Sequence, residues 1–270
     1  MVFVNIFAFI IALILSFAGS PVILKVLIKG NTFSPNYKGE KIPICMGLIF
    51  VFAQVITLSI IYILLKDDIE ILYYLISVVF MGLVGLLDDL IGEKNIKGLK
   101  GHIVSFVKGD FTTGGIKAGI GFIISLFISI LISDNILNTM VNTFVIALFT
   151  NYSNIFDLRP GRSIKAFIIA SIALLITCRA DNYQYIIYSF YGILLVYFPK
   201  DLKAKAMMGD VGSNVLGITL GIYCALSGSL TVRVIYLLIL LIIHIIAERY
   251  SFTKIIDNNR LLKFIDNLGR

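Results

Sequence analysis

Five groups of polar residues interrupt an otherwise apolar chain, and their side chains are those that handle phosphate and divalent cations. Asp88-Asp89 closes the uncharged run from Ile71 to Leu87, and a Lys- and Gly-rich stretch containing Lys94, Lys97 and His102 follows. Asn151, Asn154 and Asp157 recur at three-residue steps, which puts them on one slowly drifting helical stripe. Arg159-Pro160-Gly161-Arg162 offers a turn with two guanidinium groups, suited either to clamping a diphosphate or to anchoring at a membrane interface. Met208-Gly209-Asp210-Val211-Gly212-Ser213-Asn214 opens a further apolar run. Gly209 and Gly212 would let a ligand approach the backbone, and a helix amino terminus there would present free N–H groups to phosphate. Asp210 is placed either to cap that helix or to hold a divalent cation against the phosphate. His244 and Glu248 lie one turn apart near the last run.

Each group has a plainer reading. Acids at a span's mouth can simply be solvated, and a His in an apolar segment more often makes a structural hydrogen bond. Polar amides inside a membrane helix need either a ligand or helix–helix hydrogen bonds, and the sequence does not choose between them. Asp88 and Asp89 project about 100° apart on a helix, so they cannot serve one ligand in the same way.

The elements that must position these groups are membrane helices. Of 270 residues, 59% are hydrophobic and 14% charged, far from the roughly 25% charged residues of a soluble domain. Uncharged stretches run over 1–24, 42–65, 71–87, 118–133, 135–156, 166–178, 182–199, 211–232 and 234–247, nine candidate spans. The stretches 166–178 and 234–247 are short, and span the bilayer only if their helices continue past Lys165 and Arg233. Alternating the nine spans places twenty Lys and Arg residues on one side and three (Lys66, Arg179, Arg233) on the other. That asymmetry puts the amino terminus outside and the carboxyl terminus in the cytoplasm. The expected architecture is therefore an all-α polytopic bundle, residues 1–270 as one integral-membrane domain, multi-pass in the cell membrane. Residues 250–270 form a cytoplasmic amphipathic tail, read as a helix on the inner leaflet. The first segment lacks the basic leader of a cleavable signal and is expected to remain as span one. The net charge of +7 follows from topology, so no nucleic-acid partner is implied. Cys45, Cys178 and Cys224 lack metal-ligand spacing and read as small apolar residues. With only stubs outside, any chemistry belongs to the inner face.

Taken in order, Pro43 with Gly47, Asp88-Asp89 with Lys97-Gly98-Leu99, Asn151-x-x-Asn154-x-x-Asp157, and Met208-Gly209-Asp210-x-Gly212-Ser213 resemble the polyprenyl-phosphate N-acetylhexosamine-1-phosphate transferases. This membrane family includes the phospho-MurNAc-pentapeptide and GlcNAc-1-phosphate transferases. The resemblance implies transfer of a sugar-1-phosphate from a UDP-activated amino sugar to a polyprenyl phosphate, releasing UMP, as the first membrane step of a cell-envelope glycan or glycoprotein pathway. It implies Mg²⁺, with Mn²⁺ as the alternative, and Asp210 as its principal ligand. It makes Asp88 the base or phosphate-orienting group, Asp89 an organiser of the site, and Lys97 a phosphate contact. Asn151, Asn154 and Asp157 would form the nucleotide side of the pocket, with Arg159, Arg162, Gly209, Gly212 and His244 as further substrate contacts. Whether two copies pair as a homodimer stays open.

Three departures stand out. Pro160 occupies the position of a second acid in the family's Asp-Gly-Leu-Asp-Gly run; the histidine-rich inner loop is absent; and nine spans replace the usual ten. A transporter or lipid flippase is the competing class, but it calls for a polar site at mid-membrane and often repeated halves. A catalytically silent relative is the other alternative, against which the retention of Asp88, Asp89, Asp157 and Asp210 together speaks.

Overall fold

The computed structural model describes residues 2–65, 69–92, 113–178 and 181–270. Lys94, Lys97, His102, Lys66 and Arg179 lie outside the described residues. Among the described residues nine long helices take up the nine apolar stretches: α1 (Val2–Lys29), α2 (Leu48–Leu65), α3 (Ile69–Ile91), α4 (Thr113–Ile132), α5 (Ile136–Phe156), α6 (Arg162–Thr177), α7 (Gln184–Leu202), α8 (Gly209–Ser227) and α9 (Leu230–Arg249). A short antiparallel hairpin, β1 (Phe33–Pro35) with β2 (Lys41–Pro43), joins α1 to α2 and pairs Phe33 with Pro43. Two short helices, α10 (Phe252–Asn258) and α11 (Arg260–Asn267), end the chain. Helices α1, α3, α4, α8 and α9 are long and apolar enough to cross a membrane, and α2 is a shorter apolar helix.

The two short stretches do continue past their cations. Helix α6 begins at Arg162, three residues before Lys165, and α9 begins at Leu230, three before Arg233. Arg233 is not left bare at its end: it donates to Asn142 Oδ1 at 2.6 Å and to Asn138 Oδ1 at 3.1 Å on α5. Caps set other boundaries. Asn135 accepts from Asn138 N at the start of α5, and Asn259 accepts from Leu261 N and Leu262 N, which separates α10 from α11. Thr113, Gly114 and Gly115 form the first turn of α4.

Helix α8 is the centre of the bundle, buried along almost its entire length and packed against α2, α3, α5, α6 and α7. Small residues let it fit there. A Cβ at Gly217 would lie 2.4 Å from Phe149 O, and one at Gly221 would lie 2.7 Å from Ile146 Cα, so the Gly-x-x-x-Gly face brings α8 into backbone contact with α5. Mid-bundle polar groups are paired across four helices. Gln54 Nε2 donates to Tyr74 Oη at 2.9 Å, Tyr74 Oη meets Thr219 Oγ1 at 2.9 Å, and Ser189 Oγ donates to Gln54 Oε1 at 2.8 Å. Such pairing matters most where no water competes. All three cysteines are free and buried; the thiols of Cys178 and Cys224, 46 residues apart in sequence, hydrogen-bond each other.

Candidate active site

At one end of the bundle the carboxyl ends of α3, α5 and α7 meet the amino ends of α4 and α8. The hairpin covers them. Its base is stitched to the α7–α8 connection by Met207 N to Pro43 O at 2.8 Å, Met46 N to Met207 O at 3.0 Å and Gly47 N to Met208 O at 2.9 Å. A Cβ at Gly47 would lie 2.2 Å from Gly212 N. Gly47 and Gly212 thus serve close packing of the hairpin exit on α8. The expectation that Gly212 meets a ligand is corrected accordingly: it is buried beneath Met46-Gly47 and does not line the cleft.

The cleft itself has a volume of about 230 Å³. Its walls come from the hairpin (Ser34, Asn36, Tyr37), the α5–α6 turn (Asp157 to Pro160) and the α7–α8 connection (Ala204 to Asp210), with Asp89 and Asp201 between them. Three of the four sequence blocks therefore supply cleft residues, and the fourth, Pro43-Gly47, holds the rim.

Asp88 and Asp89 separate as their 100° offset requires. Asp88 turns towards α4 and α8, where its carboxyl lies within hydrogen-bonding distance of the Asp210 carboxyl. Lys117 of α4 lies between them, with Nζ 2.9 Å from Asp210 Oδ2 and 3.5 Å from Asp88 Oδ2. Asp89 faces the backbone instead. Its two oxygens accept from Asp210 N at 2.9 Å and Val211 N at 3.3 Å, capping α8 from a neighbouring helix. Gly209 belongs to the same contact: it takes φ +69°, and a Cβ there would fall 2.2 Å from Asp89 Oδ2. So the cap on α8 that the sequence assigns as one option for Asp210 is provided by Asp89, and Asp210 is free to face Asp88 and Lys117.

Asp157 follows α5 directly and lines the cleft. Burial first, then the negative charges of Asp201, Asp210 and Asp89, push its carboxyl well above the usual carboxylate range. Asn154, on the same stripe, is engaged in the bundle: its amide donates to Asn214 Oδ1 at 2.9 Å, and its carbonyl accepts from Ser213 Oγ. Asn154 thus makes helix–helix hydrogen bonds with α8. Asn151 is exposed and outside the cleft lining.

Two expected substrate contacts are corrected. Arg162 does not face a ligand: its side chain is 4% exposed and bound through Nε and Nη2 to Asp266 at 2.8 and 2.9 Å. The carboxyl tail is thereby folded onto the α5–α6 turn. His244 sits on α9 with Nδ1 2.8 Å from Leu240 O and a buried Nε2 that has no hydrogen-bond partner among the described residues, and it does not line the cleft. Arg159 does line the cleft, with Nη2 3.5 Å from Asp257 Oδ2.

Two residues escaped the sequence reading. Lys117 was one inner-side cation among twenty. Asp201 lay within a basic loop, yet it is buried, accepting from Gly161 N at 2.6 Å and Tyr197 Oη at 3.1 Å. No sequence signal marks either, because their partners are distant in the chain.

Among the described residues no three His, Cys, Asp or Glu side chains are arranged as a metal-binding group. Two converging carboxylates, Asp88 and Asp210, nevertheless suit a hard cation that completes its shell with water and phosphate oxygens, as Mg²⁺ characteristically does. The pair already shares one positive partner, the Lys117 ammonium.

No curated protein matches the chain. The family model described as glycosyl transferase family 4 matches residues 71–229, a segment that runs from the start of α3 to the end of α8 and contains Asp88, Asp89, Lys117, Asp157, Asp201 and Asp210. With more than half of its length matched, and with its apolar helices and acidic cleft in place, the chain belongs to glycosyl transferase family 4, the membrane family that transfers sugar-1-phosphates to polyprenyl phosphate.

Proposed function

We propose that this protein transfers N-acetylhexosamine-1-phosphate from a UDP-sugar to polyprenyl phosphate, releasing UMP, as the first membrane step of an envelope glycan or glycoprotein pathway. The observation that carries the reading is the Asp88–Lys117–Asp210 group standing beside a cleft that contains Asp157. In the proposed topology nine spans cross the cell membrane with the amino terminus outside, and the cleft opens to the cytoplasm.

The chemistry is a phosphoryl transfer between two anions. A polyprenyl phosphate has its second pKa near ~6 and is largely dianionic at neutral pH, so its oxygen attacks without a strong base. That oxygen forms a bond to the sugar-bearing phosphorus, the phosphorus–oxygen bond to UMP breaks, and the electron pair leaves with UMP. The barrier is electrostatic, and this chain answers it with Lys117, which can turn its ammonium from the carboxylates to incoming phosphate oxygens. Asp88 orients the lipid phosphate relative to Lys117. Asp157 and Arg159 hold the donor in the cleft. Asp89 keeps the amino end of α8, and with it Asp210, in place. Asp88 and Asp210 would hold Mg²⁺ (or Mn²⁺), which when bound supplies charge neutralisation at the diphosphate.

The test is to incubate purified protein with polyprenyl phosphate, Mg²⁺ and a panel of UDP-amino sugars and to measure UMP. Release that requires lipid, metal and Asp210, lost in Asp210→Asn, is expected. Folded protein that releases no UMP from any donor would overturn the reading.

A further inference from the structure

The α5–α6 turn that walls the cleft has little structure of its own. Between Asp157 and Arg162 its internal hydrogen bonds are Asp157 N to Asn154 O, Leu158 N to Phe156 O and Arg162 N to Arg159 O. Gly161 takes φ +76° against Leu202 and Phe198. The turn is gripped from both sides. From within, Asp201 accepts from Gly161 N. From without, the tail closes over it: Arg270 Nε donates to Pro160 O at 2.8 Å, and Lys165 Nζ donates to Ile265 O at 2.9 Å and Asp266 O at 2.7 Å. Arg162 Nη1 also reaches Thr253 Oγ1 at 3.0 Å.

Asp266 is the hub. Its carboxylate accepts two hydrogen bonds from Arg162 and two from Arg270, at 2.8 to 3.1 Å, and its side chain is 4% exposed. Burial alone pushes this carboxyl up, yet the hydrogen bonds and charges of Arg162 and Arg270 together hold it below the usual carboxylate range. A doubly bidentate, buried pair is geometrically specific, and removing one partner leaves an uncompensated charge.

We infer that the carboxyl-terminal segment braces a wall of the cleft from behind, and that Asp266 is a positioning residue that fixes the Asp157–Gly161 turn for donor binding. The inference rests on the reading that the cleft takes a sugar nucleotide. Pro160 both lines the cleft and offers its carbonyl to Arg270 on the tail side.

The test uses the full chain in lipid nanodiscs, with Asp266→Asn, Asp266→Glu and Arg270→Ala. Hydrogen exchange at residues 157–162 is read without substrate, and donor KM and kcat are read separately. Asp266→Asn is expected to speed exchange of the Leu158 and Gly161 amides by about tenfold. It should also raise donor KM about tenfold with kcat changed less than about twofold. Asp266→Glu should restore both, and Arg270→Ala, which leaves the buried Arg162 pair intact, should give a smaller change in the same direction. Unchanged exchange in Asp266→Asn, or in Arg270→Ala if the former does not fold, overturns the inference. Faster exchange with an unchanged donor KM overturns it too. Because exchange needs no donor, a wild type that releases no UMP defeats the donor reading alone, and exchange still decides whether the tail sets the turn.

Discussion

Replacing Asp89 by Asn separates the acid that holds the site from the acids that face it. Both Asp89 oxygens accept a backbone N–H, from Asp210 at 2.9 Å and Val211 at 3.3 Å. Asn keeps one acceptor and turns an NH₂ towards the other N–H, leaving a buried donor unmet. A buried donor left unmet costs about 1–3 kcal/mol. Asp89→Asn should therefore cost about 1–3 kcal/mol, a fall of roughly 2–12 °C in Tm for a chain of this length. Asp210→Asn, whose side chain faces Lys117 and the Asp88 carboxyl, should abolish transfer while Tm moves by no more than about 2–4 °C. The assay is heat unfolding in membranes followed beside UMP release for both variants. An Asp89→Asn protein as stable as wild type but inactive would refute the capping argument and place Asp89 on substrate.

Lys117→Met, which keeps length and removes charge, should reduce kcat about 100-fold or more, with Lys117→Arg partly restoring it in a UMP-release assay. Asp157 gives a pH signature: its carboxyl is held well above the usual range, so the folded state binds this proton more tightly than the unfolded chain, and ionising it costs stability as pH rises above the ordinary Asp value of about 3.9. Asp157→Asn removes that cost, so its Tm advantage over wild type should be absent at the most acidic pH, grow as pH rises through that window, and then level off. Gly217→Leu forces side-chain atoms against Phe149 O, where even a Cβ would stand 2.4 Å away, and should lower stability by about 1–3 kcal/mol or more, read as Tm.

The sequence makes the helices legible because apolar length is a local property. It extends even to the continuation of α6 and α9 past Lys165 and Arg233, since a long cationic side chain can find polar company at a helix end. The separate orientations of Asp88 and Asp89 were also readable, being fixed by helical geometry alone. The partners were not. Lys117 completes a site with Asp88 and Asp210, 29 and 93 positions away, and nothing local distinguishes it from other cations on its side. Arg162 looks like a phosphate ligand until Asp266, 104 positions on, is folded against it. Gly212 reads equally well as a ligand-binding or a packing glycine, and only the arrival of Gly47 decides. Pairings across the fold depend on how the spans stack, and periodicity in one helix carries no record of its neighbour's register.

The burial of α8 has a consequence for how the enzyme must move. Backbone contact at Gly217 and Gly221, the Thr219 hydrogen bond and the Asp89 cap pin this helix along its shaft and at its tip, so Asp210 rides on a fixed post. Admission of one lipid and one water-soluble substrate then falls to the rim: a hairpin tied down by three backbone hydrogen bonds at its base and a turn clasped by the tail. The protein resembles a vice with one immovable jaw, and opening the other means breaking the hydrogen bonds that the hairpin base and the tail make.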